Sequence, residues 1–333
     1  MQVLPQALYL VLLELTAGAF LSLYLLDIRG GVSQGFVRFQ GLLYLILGIL
    51  TLLAFDNFAS PAVVKGSGLD EAWVAAQPTA LVIFLLLMVP WNVTLWRTRG
   101  NSSKADKQPE PGATIEEPTR RYTARMVTGL LASVAGVAAV IIAGIAYHTL
   151  AAAHLGGTFV VLTFLAGAIA LGGVTTAMLL GHWYLNTPTA SGKPLEFVTL
   201  LMLVALAGEL LFALLMGPST AKPTQRFQPV TPGTTIQTTG GGLVIVTPTV
   251  SPSSGQQVTA TEKRIAPLGQ NAMIWLQFLM GFGAPLILGG IALYLCKSRS
   301  FQSATGMLYL CVAFIFIGEV LGRGLLLLPI SGF

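Results

Sequence analysis

An all-α integral membrane protein of eight transmembrane helices, with both termini outside the cytoplasm, is the fold class this sequence predicts. Three observations lead to it. Hydrophobic residues make up 54% of the 333 residues and charged residues only 9%, against about 25% charged in a soluble globular domain; mean hydropathy is +0.77. The apolar residues come in continuous runs long enough to cross about 30 Å of hydrocarbon, which excludes a barrel, whose strands alternate polar and apolar residues over about ten positions. Basic residues are divided unevenly between alternate loops.

The runs lie at residues 3–27, 36–55, 77–97, 124–148, 157–182, 195–216, 270–296 and 304–328. The first follows an uncharged Met1-Gln2, without the basic n-region of a cleaved signal peptide, so it is expected to stay in the mature protein. It carries one acid, Glu14, near its centre. The third contains Pro90, Trp91 and Asn92; proline removes a backbone hydrogen bond, so a kink exposing Asn92 to a cavity is expected. Residues 98–122 are polar and charged without apolar periodicity and read as a cytoplasmic linker, dividing helices 1–3 (residues 1–97) from helices 4–6 (residues 123–216). The fifth run ends in "GHWYLNTP", where His182, Trp183 and Tyr184 read as an aromatic interface anchor. The sixth holds Glu209 in its outer half. Residues 217–268, rich in Thr, Pro, Ser and Gly, form the largest extramembrane segment, with a short hairpin expected around Gly240–Gly242; the segment reads as a spacer or a docking surface. Residues 269–333 hold the last two runs, the seventh interrupted by Pro285 in "GFGAPLILGG" and the eighth containing "IGEVLGRGLLLL".

Orientation follows from the loops. Those after helices 1, 3, 5 and 7, with the helix ends beside them, carry twelve Lys and Arg; those after helices 2, 4 and 6 carry five. The odd loops are therefore expected in the cytoplasm. The net charge of +5 is largely this topology signal, and no nucleic-acid partner is inferred.

Charged side chains at mid-bilayer cost about 2.5 to 3.5 kcal/mol on insertion scales, so each marks a candidate site. The set is Glu14, Glu209, Glu319 and Arg323, all at middle or outer depth. Glu319 and Arg323 are four residues apart on one helix face and are expected to pair. A carboxyl desolvated in hydrocarbon favours its neutral form. Glu14 and Glu209 then serve either as hydrogen-bond donors between helices or as proton acceptors beside a redox-active quinol. Small residues beside them, Gly18 and Gly208, permit close helix approach. His148 and His154 are the candidates for haem ligation, but they are six residues apart across a turn, and His182 lies at the other membrane face. Cys296 and Cys311, the only cysteines, provide no disulfide framework and no Fe–S site, so no intrinsic metal is expected. No phosphate loop, HExxH or nucleophile elbow occurs, which leaves a self-contained hydrolase or ATPase without support.

With eight spans and both ends outside, the stretches "LELTAGAFLSLYLLD" and "IGEVLGRGLLLL" resemble the DmsC and NrfD (polysulfide reductase) type membrane-anchor subunit superfamily, the second matching its "GE-x-x-GR" pattern through Glu319, Gly322 and Arg323. The resemblance implies two four-helix bundles and a quinol-binding subunit without its own haem, in a bacterial or archaeal cytoplasmic membrane. It implies an Fe–S electron-transfer subunit and a molybdopterin catalytic subunit as partners, and exchange of electrons with quinone, menaquinone in particular, near the outer face. The chain departs from that pattern in its 217–268 insertion, its basic 98–122 loop, and a third helix that has Asn92 but no acid. The alternatives are a secondary transporter, which would show inverted repeats and broken helices, and a structural scaffold subunit of a membrane complex; the two halves of the sequence show no convincing internal similarity.

Overall fold

Helix α1, Val3–Arg29, runs without a break through the most buried part of the protein. It turns through Gly30 and Gly31, both at positive φ (70° and 78°), a conformation that glycine adopts without strain. Ser33 then caps α2, Gln34–Phe58, accepting the Phe36 N–H at 3.3 Å. After a one-turn helix, Pro61–Val64, come α3 (Glu71–Arg97), α4 (Glu116–Ala146), a 3₁₀ turn at His148–Leu150, α5 (Gly156–Asn186) and α6 (Lys193–Met216). The last two are α7, Ala272–Lys297, and α8, Phe301–Leu327. The computed structural model describes residues 3–64, 69–97, 116–150, 156–186, 191–216 and 272–327. Among them these eight helices are long and apolar enough to cross a membrane, and no strand occurs. The hairpin expected near Gly240–Gly242 and the rest of 217–268 lie outside the described residues.

The helices extend past their apolar runs where local chemistry favours it. α3 starts at Glu71 rather than 77 because Asp70 caps it, its Oδ1 accepting the N–H groups of Ala72 (3.1 Å) and Trp73 (3.4 Å). Pro78 and Pro90 both fall inside that helix. α4 begins at Glu116, within the stretch assigned to the 98–122 linker, with Pro118 in the first turn, where its missing N–H breaks no helical bond. In α7 the helix widens to a π-helix over Phe278–Gly283, the Ala284 N–H bonding to the Leu279 carbonyl just ahead of Pro285.

Contacts divide the helices into two rings of four. α1 packs on α2, α2 on α3, α3 on α4 and α4 back on α1; α5, α6, α7 and α8 repeat the cycle. The rings join through α1 against α5, flanked by α1 against α8 and α4 against α5. Exchanging each helix for the one four places later preserves these pairings. At the junction α1 and α5 touch backbone to backbone: a Cβ on Gly18 would run into the Ala168 carbonyl, and one on Gly172 into Gly18. Small residues are what bring transmembrane helices this close, because lipid is as apolar as leucine and association rests on van der Waals fit.

Polar contacts within and between the bundles are few and specific. Thr16 and Thr51 hydroxyls meet at 3.2 Å, those of Tyr44 and Thr176 at 2.9 Å, and Arg38 Nε donates to the Leu95 carbonyl at 2.8 Å. At the end of α1 that the charge count places inside, Asp27 is bridged by Arg125 of α4, which also donates to Gln34 Oε1 at 3.0 Å.

Candidate functional site

Glu14 leaves α1 toward the second bundle and is wholly buried. There it meets Arg323 of α8, whose Nε donates to Glu14 Oε1 at 2.8 Å and whose Nη2 donates to Oε2 at 3.1 Å. This two-pronged pairing is the strong form of an arginine–carboxylate contact. The same Nη2 lies 3.0 Å from Glu319 Oε2 and 3.5 Å from Glu209 Oε1, and donates to the Thr163 carbonyl of α5 at 3.3 Å. One guanidinium is thus surrounded by three carboxyl groups from α1, α6 and α8. All four side chains are buried, at 0% to 5% exposure.

Helix α5 forms the floor. The Phe164 ring lies under the guanidinium, 4.3 Å from centroid to Cζ, a cation–π contact strengthened by burial; Tyr147 stacks on the same ring at 6.2 Å between centroids. Gly167 supplies the space: a Cβ there would fall 2.6 Å from Arg323 Nη2, 2.9 Å from Glu319 Oε1 and 3.1 Å from Glu209 Oε1. On the other side of α8, Gly318 packs against Gly281 in the π-helical part of α7, and Gly322 against Gln277. The π turn therefore packs on α8 at Gly318, the residue before Glu319, in keeping with the frequent location of such turns at functional sites.

The i,i+4 pairing of Glu319 with Arg323 is present, but Glu14, 309 residues away in sequence, takes the two-pronged position. Glu209 is least well served, with Oε2 buried and without a hydrogen-bond partner.

No protein-family model, curated protein or solved structure matches this chain.

The structure brings Glu14, Glu209, Glu319 and Arg323 together and leaves Asn92 apart. Trp91, beside Asn92, packs on Phe20 at 5.0 Å, six residues beyond Glu14 and so about 9 Å further along the axis. Asn92 lines an open groove of about 470 Å³ between α2 and α3, with Leu42, Leu45, Val89, Val93 and Trp96. Its Nδ2 donates to the Met88 carbonyl at 3.0 Å, and its Oδ1, unpartnered, lies against Gly41. His148 sits in the 3₁₀ turn after α4 with Nδ1 on the Ile145 carbonyl; His154 lies outside the described residues. His182 contacts the Tyr309 hydroxyl at 3.3 Å at the opposite end of the bundle, where Trp183 packs on Phe36 and Tyr184 on Phe301. Among the described residues no group of three His, Cys, Asp or Glu is placed to hold a metal ion.

Thr163, Phe164 and Gly167 were not singled out by the sequence. Phe164 and Thr163 look like any apolar-helix residues there, although Gly167 and Gly172 in "FLAGAIALGG" carry a small-residue signal. Asp27–Arg125 was also missed, because Arg125 sits in a basic flank and reads as a topology charge.

Proposed function

We propose that this chain is a quinol-interacting membrane-anchor subunit of a multi-subunit oxidoreductase, of the DmsC and NrfD type its motifs resemble. The observation that carries the proposal is the buried set of Glu14, Glu209 and Glu319 around Arg323 where α1 of the first bundle meets the second. Oxidation of a quinol delivers two electrons and two protons. In this reading the electrons pass to a partner Fe–S subunit, and thence to a molybdopterin subunit, while the carboxyl groups of this chain form the polar wall that relays protons. Menaquinol is the quinol the resemblance implies, and a bacterial or archaeal cytoplasmic membrane the location. Glu209 Oε2, buried without a partner, is the acceptor most open to a hydroxyl donor.

Solubilising native membranes in mild detergent, capturing the chain and identifying its companions by mass spectrometry tests the assignment. Stoichiometric Fe–S and molybdopterin subunits are expected, and Glu14→Gln should then slow quinol-linked turnover with the complex intact. Recovery of the chain alone would rule against the anchor. It would favour a secondary transporter, a reading supported by the matching order of helix contacts in the two bundles, since many transporters are built from repeats with their site at the interface between halves.

A further inference from the structure

We propose that the Glu14–Glu209–Glu319–Arg323 cluster is a binding site for two protons, shared among its three carboxyl groups around the one guanidinium. Charge and geometry give this site its proton number whether or not quinol is the substrate.

Three carboxyl groups against one guanidinium leave two negative charges if all are ionised. Each of the four residues is at most 5% exposed, and an uncompensated charge in such a place costs several kcal/mol. Among the described residues, no further charge offsets it. α1 contributes Glu14, α6 Glu209, and α8 Glu319 and Arg323; α5 presents the Thr163 carbonyl, Phe164 and Gly167, and α7 presents Gln277 across Gly322. Two bound protons make the cluster neutral.

The contacts show how unequally the acids share the arginine. Glu14 takes both prongs of the guanidinium. Glu319 reaches only Nη2, and Glu209 reaches it at 3.5 Å. The Oε1 atoms of these two acids both crowd the notch at Gly167, an approach that two anions would oppose. Glu209 Oε2 is buried and unpartnered, the position of a group awaiting a proton or a donor. A metal cation is disfavoured, because Nη2 already occupies the point where the three carboxyl groups converge.

The proposal makes the proton number equal to the number of carboxyl groups less the number of guanidinium groups. Infrared difference spectra of the full-length chain in detergent at neutral pH, wild type against variant and H2O against D2O, read this number in the C=O stretch of protonated carboxyl groups. Wild type should show the intensity of two groups. Glu209→Gln, Glu319→Gln and Glu14→Gln should each halve it, because a remaining acid ionises to pair with Arg323. The Glu209→Gln/Glu319→Gln double variant, which keeps the Glu14–Arg323 pair and with it the fold, should abolish it. Arg323→Gln should raise it about 1.5-fold. A wild-type band that is absent or carries a single group, persistence of the band in the double variant, or its loss on adding sodium ions would overturn the proposal. Failure of quinol binding alone would leave the band untouched and bear only on the anchor reading.

Discussion

Arg323, near the end of the chain, donates two hydrogen bonds to Glu14, near its beginning, at 2.8 and 3.1 Å, and so ties the last helix of the second bundle to the first helix of the first. Removing the two partners should have unequal effects. Glu14→Gln keeps an acceptor, and Glu209 and Glu319 remain as possible anions, so a loss of about 1 kcal/mol is expected. Arg323→Gln removes the group that all three acids share and should cost about 3 kcal/mol. Thermal denaturation in detergent, followed by intrinsic fluorescence, measures the order; an equal or reversed ranking would mean that the arginine is not the hub.

Backbone contact between α1 and α5 makes a second prediction. A Cβ on Gly172 meets the backbone of Gly18, so neither helix has a flexible side chain to move aside. Gly172→Ala should destabilise by at least the roughly 1 to 3 kcal/mol typical of overpacking, and Gly172→Leu should prevent recovery of folded protein. Gly290, where a Cβ meets nothing within 4 Å, is the control: Gly290→Ala should be neutral or stabilising in the same denaturation assay.

Asp27 and Arg125 form a second buried ion-pair site among the described residues, at the opposite end of the bundle. Either Asp27→Asn or Arg125→Met alone strands a partner and should cost about 3 kcal/mol, whereas the double replacement Asp27→Leu/Arg125→Met should cost less than either single change. A double variant as unstable as the sum of the singles would contradict a coupled pair.

Topology can be checked with single cysteines, because Cys296 and Cys311 are both buried. Ser298 is exposed in the turn between α7 and α8, and Asn57 is exposed at the end of α2. In intact cells a membrane-impermeant maleimide should label Asn57→Cys and leave Ser298→Cys unlabelled until the membrane is opened. The reverse pattern would invert the orientation inferred from the loop charges.

What the sequence by itself determined here are properties that act along one helix. Eight spans and their order are legible because burial of some 20 apolar residues in hydrocarbon needs no knowledge of neighbours. Glu14, Glu209, Glu319 and Arg323 are legible as site candidates because an ionisable group at that depth is costly wherever the helix goes. The Glu319–Arg323 pair follows from 3.6 residues per turn. Rotation of each helix about its axis and the choice of neighbour were decided only by the tertiary structure. Lipid and protein core are equally apolar, so a span such as α5 carries no hydrophobic stripe to show which face turns inward. For that reason Glu14 could not be matched with Arg323, Phe164 and Gly167 gave little sign of lying against it, and Asn92, at first sight one more polar residue of the same set, belongs to the other bundle. Helix ends at Glu71 and Glu116 escaped hydropathy because caps and first-turn prolines, not apolar residues, set them. The pairing of α1 with α5 rests on contacts that only glycine and alanine allow, and these become visible only when the two backbones are seen to touch.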